Sequence, residues 1–219
     1  LQKLSEKNTT EKYIEIINID YYLLFRIIDI IEDSHFSYNI QIQMLQNISD
    51  NFISGLNYSI TILNQNLSNI ESKYIKLIKY FPDLLKLHYS LPIQIQNNIQ
   101  NTGQIMAKGM AKYLVKYYNS IQDINTAFID SIDDLDNYCY FVAGCVGELN
   151  TKIFLFYNFF NKNNSYDILI QNSKYFGNYI QGVNIIRDIC EDYLVSKNYI
   201  PNSLSNLPLH SSINQIITF

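Results

Sequence analysis

Apolar residues recur at intervals of three and four along almost the whole chain, and no segment alternates convincingly with period two. The pattern predicts an all-α protein. Residues 11–33, EKYIEIINIDYYLLFRIIDIIED, form the first long helix, entered near Asn8-Thr9-Thr10 with Thr9 or Thr10 as cap and Glu11 in the first turn. Residues 1–10 are polar and are expected to fray. Ile and Leu fill most sides of this helix, so it is expected to be buried nearly all round. Residues 34–70 predict one or two amphipathic helices broken around Ser54-Gly55. Residues 71–81 continue as helix to Phe81-Pro82, where Pro can start the next one, and Leu91-Pro92 marks a further boundary. Residues 95–118 predict a long helix with Gly103 and Gly109 inside it. A helical Gly costs about 1 kcal/mol against Ala, so two imply close approach of a neighbour or a ligand. Residues 120–133 read as polar linker or short helix. A helix capped by Asp133 or Asp134 follows, with Tyr138, Val142, Cys145 and Leu149 on one stripe. Residues 161–164 predict a turn, residues 166–195 the last long helix, and the tail beyond Lys197 a loop.

Composition supports this picture. Of 219 residues, 47% are hydrophobic and 16% charged, which allows a sizeable core and argues against disorder. One domain over residues 1–219 is expected. The net charge of −4 and the scattered lysines give no footprint for nucleic acid. Cys139, Cys145 and Cys190 have no zinc spacing and leave an odd count, which fits buried free thiols in a reducing, cytoplasmic compartment. His35, His88 and His210 have no ligand spacing and read as surface or satisfied core histidines. No signal peptide is visible, and no apolar run is read as long enough to span a bilayer. The first residue is Leu, which fits a fragment, a processed product or an incomplete gene model.

The chemistry lies where polar residues interrupt apolar helices. In NIIRDICED, Asp188 and Asp192 are one turn apart, Asn184 lies one turn before Asp188, and Gln181 about one turn before that. In the first helix Tyr22, Arg26, Asp29 and Asp33 share a narrow stripe, flanked by Glu32. Carboxylates are seldom buried unless paired or metal-bound. Two acidic helices facing across a cavity would suit Mg²⁺, which takes one or two carboxylates plus substrate phosphates. The plainer alternatives are a solvated face with Arg26 as ion-pair partner, a structural Arg187–Glu191 pair, ordinary core tyrosines at Tyr22 and Tyr138, and glycines at 144 and 147 that serve only close packing.

Three stretches together resemble the squalene and phytoene synthases, head-to-head prenyltransferases of the all-α isoprenoid synthase fold, in which helices surround a central apolar cavity. Arg26-Ile27-Ile28-Asp29-Ile30-Ile31-Glu32-Asp33 is similar to the first aspartate-rich motif. Residues 136–147, DNYCYFVAGCVG, are similar to the central motif, and residues 181–192 to the second aspartate-rich motif. Met106-Ala107-Lys108-Gly109-Met110-Ala111 resembles the glycine-methionine segment of squalene synthases. The resemblance covers residues 10–201. It implies that Asp29, Asp33, Asp188 and Asp192 hold Mg²⁺ and the diphosphates, and that Arg26 and Arg187 contact diphosphate oxygens. Gln181 and Asn184 would shape that site, Tyr22 and Tyr138 would face the reacting carbons, and Val142 and Gly147 would line the prenyl tunnel.

The implied reaction joins two farnesyl diphosphates, or less favourably two geranylgeranyl diphosphates, through a cyclopropyl diphosphate. NADPH is needed if the product is squalene and not if it is dehydrosqualene. A lipid product implies peripheral contact with a membrane. Gly182 stands where animal-type squalene synthases have Lys, and the first motif ends Glu32-Asp33-Ser34 where squalene synthases carry another Asp. The family's N-terminal Ser-Phe segment and its helices beyond the second motif are not found in these residues. The alternative function is therefore an impaired family member acting as a non-enzymatic binding or assembly protein. The intact aspartates favour the enzyme.

Overall fold

Helix follows the apolar periodicity from the second residue onward. The computed structural model describes residues 2–122, 128–158, 166–194, 197–204, 211–213 and 215. Helix α1 spans Gln2–Glu32, so Thr9 and Thr10 lie within it rather than capping it. No Gly or Pro precedes them to stop the helix. Nor is α1 buried all round. Leu24, Ile27, Ile28 and Ile31 are fully buried, whereas Tyr13, Ile16, Ile19 and Tyr22 are exposed. Helix α1 packs on the helices at 38–50, 75–79, 81–90 and 93–122, and the Tyr21 hydroxyl donates to Asn150 at 2.7 Å.

Helices α2 (Tyr38–Asp50) and α3 (Phe52–Gln65) part at Asn51, not at Ser54-Gly55. Asn51 is extended, and its side chain accepts from the Ser54 N–H, which caps α3. Gly55 sits inside α3 because a Cβ there would lie 2.3 Å from the Ile48 nitrogen of α2. The expected continuous helix over 71–81 is a short 3₁₀ turn at 72–74 followed by α4 (Ile75–Lys79). Pro82 then stands in the first turn of α5 (Phe81–Ser90).

The long helix α6, Ile93–Gln122, is the spine of the molecule. It packs against α1, α2, α3 and α5 and also against the helix at 145–156. Its two glycines mark close neighbours: a Cβ at Gly103 would meet the Phe52 ring at 2.0 Å, and one at Gly109 the Phe141 side chain at 2.2 Å. After α6 the chain is not simply polar linker, because Phe128 and Ile129 are buried.

Ser131, rather than Asp133 or Asp134, caps α7 (Ile132–Cys139), its hydroxyl accepting from the Asp134 N–H. A π-turn at Tyr140–Gly144 separates α7 from α8 (Cys145–Phe156). Together Ile132–Phe156 is long and apolar enough to cross a membrane by length and composition, contrary to the expectation that no run would be. It packs on α6 and on the helix at 166–194, and it buries Leu135, Cys139, Cys145 and Leu149. The turn expected at 161–164 lies outside the described residues. Helix α9 runs Tyr166–Leu194 and packs against α7, the π-turn and α8. The tail is not all loop: 202–204 form a 3₁₀ turn and 211–213 are helical. No strand occurs among the described residues.

Candidate active site between two acidic helices

On α1 the stripe forms as its spacing requires. The Arg26 guanidinium lies 3.2 Å from Asp29 Oδ2, and its other nitrogen donates to the Tyr22 hydroxyl at 3.5 Å. The guanidinium also lies 5.7 Å from the Tyr22 ring centre and 5.9 Å from that of Tyr74. Burial pushes the Asp29 carboxyl up to about 7; Arg26 opposes the shift, and Glu32 and Asp33 add to it. Tyr22 is exposed and stands at the edge of an open surface hollow of about 520 Å³ along α1, lined also by Glu11, Ile14, Glu15, Asn18, Ile19 and Tyr21.

On α9, Gln181, Asn184, Asp188 and Asp192 are all half-buried. Arg187 does not pair with Glu191. It makes two 2.6 Å bonds to the neighbouring Asp188, through Nε and a terminal nitrogen, and these hold the Asp188 carboxyl below its usual range. The Asp192 carboxyl is raised, first by burial and then by Asp188, Glu191 and Asp33, against the pull of Lys197. Glu32 is raised by burial and feels both Asp33 and Asp192. The two rows therefore come within electrostatic reach at the ends of α1 and α9. Among the described residues, no three Asp, Glu, His or Cys side chains converge closely enough to hold a metal ion.

Between the rows sits Lys197, which the apolar pattern marks only as the point where the last helix ends. Its ammonium is 3.5 Å from Glu32 Oε1 and 3.8 Å from Asp33 Oδ1. Tyr199 is another functional candidate that the pattern does not mark. Its hydroxyl accepts from that of Tyr138 at 3.2 Å, and both side chains are buried. Burial raises both phenols, and Glu32 adds to each shift, so the pair is neutral. Tyr113 and Phe128 pack on these rings at centroid distances of 5.1 Å, Tyr113 on Tyr138 and Phe128 on Tyr199. No local signal marks Lys197 or Tyr199, because both act on helices distant in sequence.

Val142 is half-buried within the π-turn. Gly147 faces α9, where a Cβ would lie 2.2 Å from the Ser173 carbonyl oxygen, so close packing is a sufficient reason for this glycine. Cys139 and Cys145 are buried, whereas Cys190 is exposed, against the expectation that it is a small core residue.

The family model for squalene/phytoene synthase matches residues 19–206, from before the first acidic row to beyond Tyr199. The chain belongs to the squalene/phytoene synthase family. Its all-helical structure is that of the isoprenoid synthase fold. The chain is similar to the squalene synthase of Candida albicans, 28% identical over 185 residues that make up 84% of this chain and 39% of that protein. Its similarity to the Saccharomyces cerevisiae squalene synthase is 24% identity over 188 residues, with the same shares covered. The Schizosaccharomyces pombe squalene synthase is 31% identical over 140 residues, 64% of this chain and 29% of that protein. The chain thus spans about two fifths of the length of the first two of these relatives.

Proposed function

We propose that this chain carries out the Mg²⁺-dependent head-to-head condensation of two farnesyl diphosphates to a C30 product, squalene or dehydrosqualene. The observation that carries the reading is Lys197, bonded through its backbone N–H to the Asp192 carbonyl on α9 and reaching Glu32 and Asp33 on α1 with its ammonium, which links carboxylate rows from opposite ends of the chain beside a buried tyrosine pair. The donor set suits the ion by type: it is all carboxylate oxygen, the hard ligand that Mg²⁺ takes. That the rows do not close around an ion alone accords with an ion completed by substrate phosphates.

Asp29 and Asp33 would hold the ion on α1, Asp188 and Asp192 on α9; when bound, Mg²⁺ neutralises the diphosphate as a leaving group. Arg26 and Arg187 already present guanidinium groups beside these carboxylates and would turn them to diphosphate oxygens, where bidentate contact is strong. Gln181 and Asn184 lie on the same face of α9 and would orient the diphosphate. The Tyr138 ring would stabilise the allylic cation, and its hydroxyl, kept neutral by burial, would pass a proton through Tyr199.

The first half-reaction joins two C15 units, expels one diphosphate, releases one proton and leaves a cyclopropyl C30 diphosphate. The second expels the remaining diphosphate, and the cation is quenched by hydride from NADPH or by loss of a proton. The lipid product would leave through contact with a membrane surface. The test is to incubate the purified chain with farnesyl or geranylgeranyl diphosphate and Mg²⁺, with and without NADPH, and to identify the lipid. Asp29→Ala and Asp188→Ala should each lower the rate roughly a hundredfold or more. No product, together with Mg²⁺-dependent diphosphate binding unaffected by either change, would replace the enzyme with a binding protein.

A further inference from the structure

Residues 197–204 form a strap that joins three separate parts of the molecule. The Lys197 N–H donates to the Asp192 carbonyl at 2.9 Å, which folds the chain back onto the end of α9. The Lys197 side chain crosses to α1, reaching Glu32 and Asp33. Two residues on, Tyr199 accepts from Tyr138. The far end is pinned by the Asn202 and Ser203 N–H groups, which donate to the Ile129 and Asp130 carbonyls at 2.8 and 3.2 Å. Backbone bonds on either side thus fix the root of Lys197, while its stem is a flexible chain bearing a compact charge.

We propose that Lys197 is a tethered cation that competes with the divalent ion for the Glu32 and Asp33 carboxylates and so sets how tightly that ion binds. The proposal rests on the metal-site reading of the acidic rows. Asp33 is one of the four aspartates assigned to the ion, and Glu32 is its neighbour on the same turn. An ammonium 3.8 Å from Asp33 Oδ1 and 3.5 Å from Glu32 Oε1 puts a positive charge beside the oxygens that a divalent cation would use. The two cations also repel each other, and screening is weaker on the Glu32 side, which is partly buried with Lys197, than around Asp33, which is exposed. Entry of the ion therefore requires the ammonium to swing aside. The strap keeps it close enough to return when the ion leaves.

Mn²⁺ serves as the probe, with free Mn²⁺ measured by electron paramagnetic resonance on the full chain. Lys197→Gln is expected to tighten Mn²⁺ binding about tenfold, and Lys197→Arg to stay within about twofold of wild type. Lys197→Met, which keeps the apolar stem, is the second variant should Lys197→Gln fail to fold. Folding of each is checked by urea unfolding without Mn²⁺. Unchanged or weaker Mn²⁺ binding in the neutral variants, while Asp33→Asn and Asp188→Asn still weaken it, overturns the competition alone. Mn²⁺ binding indifferent to both aspartate changes overturns the metal-site reading, and this inference with it.

Discussion

Asp20 is a fully buried carboxylate in the apolar half of α1, and it is tolerated because His88 Nδ1 lies 2.9 Å from its Oδ2. Gln100 reaches the other ring nitrogen at 3.1 Å. His88 is thus a satisfied core histidine, and its partner Asp20 carries no mark in the local pattern. Asp20 Oδ1 already lacks a partner, so breaking the pair leaves a buried carboxyl with neither oxygen bonded, and His88→Ala should cost about 3–5 kcal/mol in urea unfolding. Asp29 makes a different prediction. Its carboxyl is raised to about 7, so the fold favours its protonated form. Its contribution to stability is present in full below about pH 4, the unfolded value, and is lost as pH rises through 7. Without divalent ions, melting temperature should fall across that window. Asp29→Asn should flatten the fall, by an amount worth about 1–3 kcal/mol. Parallel pH profiles for wild type and variant would refute the assignment.

The π-turn at Tyr140–Gly144 is the element that shapes the middle of the molecule. An inserted residue shifts the register between α7 and α8, and such turns often sit at functional sites. Here it lies between Tyr138 on α7 and Cys145 on α8. It also receives α9: a Cβ at Gly177 would meet the Ala143 carbonyl oxygen at 2.5 Å, and one at Gly144 would meet Asn178 Oδ1 at 2.1 Å. Asn178 in turn donates to Asp136 at 2.7 Å. Gly147 and Gly182 offer a matched test of this packing. Gly147→Ala would force a methyl into the Ser173 backbone and should destabilise by about 1–3 kcal/mol. A Cβ at Gly182 would have nothing within 4 Å of it, so Gly182→Ala should stabilise by about 0.5–1 kcal/mol through helix propensity. Denaturant midpoints of the two variants moving in the same direction would contradict this account.

At the scale of the molecule, α6 holds both halves in place. The first acidic row comes from α1 on one side of it, and the second from α9, which packs on α7, the π-turn and α8. Bringing like charges together opposes folding, and a divalent ion that binds only the folded chain should reverse that cost. At a hundredfold above its dissociation constant, Mg²⁺ should stabilise by about 2.7 kcal/mol. For a chain of this size that is a rise of roughly 5–10 °C in melting temperature. The rise should disappear in an Asp29→Asn, Asp188→Asn double variant. An equal rise in that variant would mean that the ion binds elsewhere.

Periodicity was enough for the helical class, most helix positions and the two acidic rows, because spacing of three and four residues places side chains on one face whatever the surroundings. The motifs at 26–33, 136–147 and 181–192 were likewise legible, being short and local. Tertiary structure decided the rest. It placed Lys197 between rows from opposite ends of the chain, joined Tyr199 to Tyr138 and buried Asp20 against His88. It also left one side of α1 exposed and opened the π-turn inside an unbroken apolar pattern. The three pairings depend on contact between residues far apart in sequence, and helical spacing carries no information about such partners.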